Sequence, residues 1–245
     1  MKNILITGTN RGIGLEFVKQ LIVGENYVLA TCRNKTEAYA LQSLQERFPK
    51  KLTILELDLS NPHSLENFHH QIGDGEIDIF INNAGIYGPG FYKPEDARTK
   101  FGFKNLKEGI FDINAWTEVF QVNTIAPLLI TKAIADNIKK GKEKKLVFVS
   151  SLMGSIKENK DGGHYIYRTS KAALNQLVKG LSIDLYKENI TAICVHPGWV
   201  KTDMGGEIAD LDVSTSVSSL LKVVEKTGFE DTGKFFNYDF SEINW

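Results

Sequence analysis

Short apolar runs alternate with amphipathic, helix-patterned segments along nearly the whole chain, and this order restricts the possible folds more than any other feature. Nearly continuous apolar runs are typical of strands buried on both faces, and strand–helix alternation favours parallel pairing. We therefore expect an α/β fold, a doubly wound Rossmann-type parallel sheet of about seven strands with helices on both faces. The expected strands are Asn3–Thr7, Tyr27–Thr31, Leu52–Leu57, Ile77–Ile81, Lys145–Ser150, Ile190–Val195 and Lys234–Asn237.

The expected helices lie between these runs and show apolar residues at helical spacing. Asn61-Pro62 indicates a helix start, because proline is favoured in the first turn. The segment Gly85–Gly109 is rich in glycine, proline and charge, so we expect a loop-like insertion at the edge of the domain. At 245 residues, the chain is expected to form one domain, residues 1–245. The other expected helices are Gly12–Val23, Thr36–Phe48, Tyr165–Tyr186 and Val213–Lys226.

Composition argues against several classes of protein. The formal net charge of -1 gives no sign of the basic surface that nucleic acids require. No apolar run approaches the roughly 20 residues needed to span a bilayer. Cys32 and Cys194 fall inside expected buried strands, so we expect no disulfide and a cytoplasmic location. The five histidines lack paired metal-ligand spacing, so we predict no catalytic metal.

A glycine-rich turn follows the first expected strand and opens the first expected helix. Glycine permits a tight turn and close approach of the backbone, and free N–H groups at a helix start attract a pyrophosphate. The position between strand and helix makes this pattern informative, since glycine also occurs in turns that bind nothing. We expect a dinucleotide to contact the turn at Gly8, Asn10, Arg11, Gly12, Ile13 and Gly14.

The end of the second expected strand predicts which nicotinamide cofactor binds. An acidic residue there would hydrogen-bond the ribose 2′-hydroxyl and repel a 2′-phosphate, but Thr31-Cys32-Arg33-Asn34 contains no carboxylate. Arg33, together with Arg11, can supply guanidinium donors suited to a phosphate. We therefore predict NADP(H) rather than NAD(H). The alternative for Arg33 is a surface ion pair with Glu37.

Tyr167 and Lys171 stand four residues apart on an expected helix, so their side chains project from one face. A phenol has a pKa of about 10, and a neighbouring ammonium lowers that pKa by favouring the phenolate. Such a tyrosine could protonate the alkoxide formed when hydride reaches a carbonyl carbon. Tyr165 is a rival, but Thr169 rather than a lysine stands four residues after it.

Two further candidates come from their place in the expected fold. Ser151 follows the fifth expected strand, and ligands of parallel sheets bind at the carboxyl ends of strands. Its alternative is a serine that serves only the turn. Pro127 has no N–H, so the carbonyl of Asn123 loses its helical partner and the helix should kink there. The freed carbonyl could bind a water, or the kink could serve packing alone.

Together these motifs resemble the short-chain dehydrogenase/reductase family, including its Asn82-Asn83-Ala84-Gly85 segment after the fourth strand. The resemblance implies that Ser151 orients the substrate, that Asn123 holds a water in a proton relay and that Lys171 also holds the nicotinamide ribose. The further cofactor contacts that it implies are Asp58, Leu59, Asn83, Ala84, Gly85, Tyr167, Lys171, Pro197, Gly198, Val200 and Thr202.

Within that family the chain is similar to the C-factor and Sniffer-type carbonyl reductase branch, as in Asn10-Arg11-Gly12 and Gly233–Asp239. The spacing from Ser151 to Tyr167 is a few residues longer than is common, with Lys157–Gly163 as the expected insertion. The resemblance implies hydride transfer between NADP(H) and a small carbonyl or alcohol. It also implies a homodimer or homotetramer.

Two other functions were weighed against this interpretation. A non-enzymatic NADP(H)-sensing or signalling protein could use the same scaffold, although it would not need the expected catalytic residues that this chain retains. A hydrolase with Ser151 as nucleophile would need a G-x-S-x-G turn and a well-placed histidine base, and the sequence supplies neither.

Overall fold

Seven parallel strands form one sheet in the computed structural model, which describes residues 1–88 and 112–245. The strands are β1 (Lys2–Ile6), β2 (Asn26–Cys32), β3 (Leu52–Glu56), β4 (Ile79–Asn82), β5 (Lys145–Val149), β6 (Thr191–His196) and β7 (Phe235–Asn237). Their order in the sheet is β3-β2-β1-β4-β5-β6-β7, that of a doubly wound sheet, and it confirms the predicted fold class.

Strand bounds agree with the predictions to within one or two residues, with the largest difference at β4. This strand begins at Ile79 rather than Ile77, because the N–H of Ile77 donates to the carbonyl of Asn137 instead of to a neighbouring strand. The carboxylate of Asp78 accepts hydrogen bonds from the N–H groups of Asn3 at 2.8 Å and Lys142 at 2.7 Å. The predicted insertion Gly85–Gly109 lies outside the described residues from residue 89 onward.

Helices cover both faces of the sheet, as predicted. The described helices are α1 (Gly12–Ile22), α2 (Tyr39–Arg47), α3 (Pro62–Glu66), α4 (Phe68–Ile72), α5 (Ile113–Phe120), α6 (Ala126–Ala133), α7 (Ala135–Lys140), α8 (Tyr165–Asp184) and α9 (Val213–Lys226). One face of the sheet packs against α1, α2 and α9 around a core that includes Phe17 and Val217. The other face packs against α3, α4, α6, α7 and α8 around Phe80 and Phe148.

The second helix is shorter at its start than predicted. Asn34 Oδ1 accepts hydrogen bonds from Thr36 N at 2.9 Å and from Thr36 Oγ1 at 2.7 Å. This side-chain turn competes with helical bonding, so α2 begins at Tyr39 rather than Thr36. The predicted helix start at Asn61-Pro62 is confirmed, with the Asn61 side chain accepting from His63 N.

The predicted break near Asn123 takes the form of a π-helical turn, Gln121–Ile125, between α5 and α6. Pro127 lies in the first turn of α6 and has no N–H to donate to the preceding turn. The N–H of Ala126 instead bonds to the carbonyl of Gln121, five residues earlier. Such turns often occur at functional sites, and this one places Asn123 in the protein interior.

The strand order reverses direction between β1 and β4, which are hydrogen-bonded neighbours. In open α/β sheets, ligands bind beyond the carboxyl ends of the strands at such a point. The glycine-rich turn follows β1 and Asn83-Ala84-Gly85 follows β4, so the fold brings both motifs to one crevice. Among the described helices, none combines the length and the apolar character needed to cross a bilayer.

Candidate active site

The glycine-rich turn is packed tightly against the segment after β4. Asn83 Nδ2 donates to the carbonyl oxygens of Thr7 and Gly8, both at 3.0 Å. A Cβ on Gly14 would lie 2.0 Å from Gly8 O, and a Cβ on Gly8 would lie 2.8 Å from Ala84 Cα. Gly8 also has a φ of +67°, a region that favours glycine. Glycine is therefore required at both positions, and the backbone of the turn stays open to a ligand.

The start of α1 offers donors for an anion. Arg11 precedes α1 with an extended backbone, and its side chain does not cap the helix. The first N–H groups of α1 are therefore not occupied by that side chain. Gly12 has a φ of +53°, and Asn10 is exposed beside it. Ile13 packs against the core and fixes the helix to the sheet. This cradle fits the pyrophosphate of a dinucleotide.

The two predicted phosphate-binding arginines differ in their surroundings. Arg33 is exposed immediately after β2, and in residues 1–88 and 112–245 its alternative ion pair with Glu37 is not formed. Arg11 instead donates to Asp203 Oδ2 at 2.9 Å, with both side chains about three-quarters exposed, at 74% and 77%. Arg33 is therefore the more accessible of the two for a 2′-phosphate.

The other predicted cofactor contacts flank the same crevice. Asp58 Oδ1 accepts from the N–H and the hydroxyl of Ser60, which orients the carboxylate after β3. Leu59 is buried beside it. Gly198 has a φ of +81°, and a Cβ there would lie 2.4 Å from Leu211 Cδ1.

The segment Pro197–Thr202 lies beside the glycine-rich turn. A Cβ on Gly12 would lie 3.5 Å from Thr202 Cγ2, so the glycine-rich turn and the segment Pro197–Thr202 are adjacent. Ser216 Oγ donates to Pro197 O at 2.6 Å, and Val200 forms a bridge with Leu211. These contacts hold the segment at the carboxyl edge of the sheet.

Tyr167, Ser151 and Lys171 meet next to this crevice. Ser151 lies close enough to the Tyr167 hydroxyl to lower its pKa, so the longer spacing in the sequence does not separate the two side chains. Lys171 Nζ donates to Val149 O at 2.9 Å and lies 5.8 Å from the centroid of the Tyr167 ring. A Cβ on Gly85 would lie 3.3 Å from Lys171 Nζ, which places the ammonium against the segment after β4.

The expected lowering of the Tyr167 pKa by Lys171 is wrong for this structure. Burial raises the pKa of Tyr167 to about 12, with Ser151 acting in the opposite direction. Burial also lowers the pKa of Lys171 to about 8. Desolvation disfavours both the phenolate and the ammonium, and it is the largest cause of the pKa shift at each group. Tyr167 is therefore protonated at neutral pH, the state required of a proton donor.

The side chain of Asn123 is fully used in holding the site together. Its Oδ1 accepts from Ile86 N at 2.9 Å, and its Nδ2 donates to Ile86 O at 2.8 Å and to Ser170 Oγ at 3.0 Å. Ser170 in turn donates to Tyr167 O at 2.8 Å. Asn123 therefore connects the segment after β4 to the helix that carries Tyr167.

Four residues of the site were missed by sequence reasoning. Thr7 Oγ1 accepts hydrogen bonds from the N–H groups of Asn83 and Ala84, which follow β4, at 3.1 Å each. Ser170 lies inside the Tyr167–Lys171 spacing, which was the available signal for it. Tyr87 stacks on Tyr167, and its hydroxyl is hydrogen-bonded to His164. Nothing in the local sequence pattern indicates these last two contacts.

A cleft of about 680 Å³ opens beside these groups. Its apolar lining includes Ile86, Tyr87 and Met204, and the ion pair of Arg11 and Asp203 lies at its edge. A small organic substrate would fit a volume of this size.

Comparison with known proteins assigns the chain to a family. The family model described as short chain dehydrogenase matches residues 2–212, and the protein belongs to this family of oxidoreductases. The C-signal protein of Myxococcus xanthus is 36% identical over 178 residues, covering 73% of this chain and 98% of that protein.

Two solved structures are similar over the whole chain. The carbonyl reductase Sniffer of D. melanogaster has a TM-score of 0.86 and 34% identity, covering 100% of both chains. The NADPH-bound carbonyl reductase from chicken fatty liver has a TM-score of 0.86 and 33% identity, covering 100% of this chain and 99% of that one. These similarities agree with the predicted family and with its carbonyl reductase branch.

Proposed function

We propose that the protein is an NADPH-dependent carbonyl reductase that transfers hydride between NADP(H) and a carbonyl or alcohol substrate. The observation that carries the proposal is the proximity of two buried hydroxyl side chains, Tyr167 and Ser151, beside the crevice. A protonated phenol and a second hydroxyl at one point suit the binding and protonation of a carbonyl oxygen.

The proposed mechanism assigns one task to each polar group. When bound, NADPH would supply a hydride for the carbonyl carbon. The hydroxyls of Ser151 and Tyr167 hold the carbonyl oxygen, and Tyr167 gives that oxygen its proton as the alcohol forms. Lys171 would hold the nicotinamide ribose, and the backbone carbonyl of Asn123 would hold the relay water.

The choice of NADP(H) rests on the end of β2. Arg33 is exposed there without an acidic neighbour at positions 31–34 to repel a 2′-phosphate. Similarity to a carbonyl reductase solved with NADPH bound also supports the choice. The cradle formed by the glycine-rich turn would hold the pyrophosphate, and Asp58 and Leu59 would flank the adenine.

Replacement of Tyr167 by phenylalanine tests the proposal. Tyr167→Phe removes only the hydroxyl, so we expect NADPH to bind as before while turnover falls by about 10²-fold or more, the scale of a lost proton donor. Tyr165→Phe is the matched control, because this tyrosine is on the same helix and 41% exposed. Normal turnover in Tyr167→Phe would refute the assigned role.

Similarity to the C-signal protein supports a second candidate, a signalling or cofactor-sensing protein on the same scaffold. This candidate predicts tight NADPH binding without turnover of any carbonyl. The retained Tyr167, Ser151 and Lys171 favour the enzyme over this candidate.

We also propose that the chain forms one domain and assembles as a homodimer or homotetramer through the helices bearing Asn123 and Tyr167. Apolar side chains on these helices are exposed, with Leu128 at 43% and Ile183 at 65%. Sedimentation analysis would test the assembly directly.

We also propose that the protein is located in a reducing cytoplasm, because Cys32 and Cys194 are buried and unpaired.

A further inference from the structure

Tyr87 occupies a position that the cofactor and catalytic motifs do not account for. It lies two residues after Gly85 and lines the cleft. Its ring stacks on that of Tyr167, with centroids 4.5 Å apart and planes inclined by 19°. One face of the Tyr167 ring is therefore covered by an aromatic ring rather than by water.

The hydroxyl of Tyr87 is tied to the start of the helix that carries Tyr167. It is hydrogen-bonded to Nδ1 of His164, the residue that directly precedes α8. His164 has a left-handed backbone with a φ of 47°, which is uncommon for a residue other than glycine. Burial and the charge of Arg168 lower the pKa of His164 to about 4, so the imidazole is neutral at neutral pH and can accept from a hydroxyl.

The backbone before Tyr87 is tied to the same helix through Asn123. The carboxamide of Asn123 bonds both backbone groups of Ile86 and also donates to Ser170 in α8. Tyr87 is thus held through its ring, its hydroxyl and the preceding peptide groups. All of these connections lead to the turns of α8 around Tyr167.

We propose that Tyr87 is a positioning residue for Tyr167. Its ring holds the phenol in one orientation against α8 and keeps water from one face, so that the Tyr167 hydroxyl faces Ser151 and the substrate. This inference rests on the proposed carbonyl reductase function. Because water stabilises a phenolate, removal of the covering ring should make Tyr167 easier to ionise.

Replacement of the ring tests the inference in the full-length protein. In Tyr87→Leu we expect kcat to fall about tenfold or more and NADPH affinity to stay within about twofold. Tyr87→Phe keeps the stacked ring, so its kcat should stay within about threefold of the original protein. Tyr186→Leu is the matched control, since Tyr186 pairs with Phe229 at 4.8 Å on the surface.

A second measurement does not depend on turnover. We measure the phenolate absorbance of Tyr87→Leu and subtract that of the Tyr87→Leu/Tyr167→Phe double variant. The difference reports the ionisation of Tyr167. We expect its midpoint to fall from about 12 towards the free-phenol value of about 10. This readout remains available even if no carbonyl is turned over, so it separates failure of this inference from failure of the proposed function.

Three results would overturn the positioning role. They are an unchanged kcat in Tyr87→Leu, an unchanged Tyr167 ionisation, and a loss of kcat in Tyr87→Phe as large as that in Tyr87→Leu. If Tyr87→Leu does not fold, the test rests on Tyr87→Phe alone. A loss of kcat above about threefold in Tyr87→Phe would then count against the positioning role of the stacked ring.

Discussion

Asn123→Ala removes a buried carboxamide that joins two parts of the site. Asn123 is 1% exposed and makes three hydrogen bonds, two to the backbone of Ile86 and one to Ser170. Ser170 keeps its bond to Tyr167 O, so the groups left unpaired are the N–H and C=O of Ile86. Each unpaired buried group costs about 1–3 kcal/mol.

The expected loss of unfolding free energy follows from these two groups. Ile86 is half-buried, so water can partly replace the lost partners, and the lower part of the range, about 2–4 kcal/mol, applies. For a chain of this length that corresponds to a decrease in Tm of about 5–15 °C. Thermal unfolding followed by circular dichroism measures this decrease.

Asn137→Ala separates the effect on stability from the effect on chemistry. Asn137 is also buried, and its Nδ2 donates to Gly73 O at 2.8 Å and Gly75 O at 2.6 Å, in residues that take no part in the site. Both variants should be destabilised, but only Asn123→Ala should lose turnover at a temperature where both are folded. Equal turnover in the two variants, or an unchanged Tm for Asn123→Ala, would refute this reasoning.

Two further predictions concern the cofactor and acid stability. Arg33→Ala should weaken NADPH binding by about 10- to 100-fold, the scale of a charged hydrogen bond, and leave NADH binding unchanged in fluorescence titrations; equal losses for both would contradict the role of Arg33. Burial lowers the pKa of His196 from 6.5 to about 4, so the unfolded chain takes up a proton in this window that the folded protein does not. The free energy of unfolding should therefore fall as the pH drops from 6.5 to 4. In urea unfolding, His196→Gln should lose about 3 kcal/mol less of that free energy than the original protein. Identical pH dependence in both proteins would exclude His196 as a source.

The sheet and the glycine-rich turn could be predicted because their signals are local. Buried parallel strands are apolar runs, and Gly8 and Gly14 stand where a side chain would collide with the backbone of the turn. The helical spacing of Tyr167 and Lys171 likewise places two side chains on one face. Each of these inferences needs only neighbouring residues and the order of strands and helices.

The remaining features depend on contacts between distant parts of the chain. Arg11 and Asp203 are 192 positions apart, and no sequence pattern indicates their ion pair. The stacking of Tyr87 on Tyr167 depends on how β4 and α8 meet. The direction of the Tyr167 pKa shift differs from the prediction, because the spacing to Lys171 indicates a neighbouring charge but not the burial that raises the pKa.

The most direct test of the central claim is to follow NADPH consumption and alcohol formation together, using purified protein and a panel of aldehydes and ketones. We expect that at least one carbonyl is reduced, with one alcohol formed for each NADPH oxidised. NADPH binding without turnover of any carbonyl would contradict the enzyme assignment and favour a sensing role. Failure to bind either nicotinamide cofactor would contradict the account of the whole site.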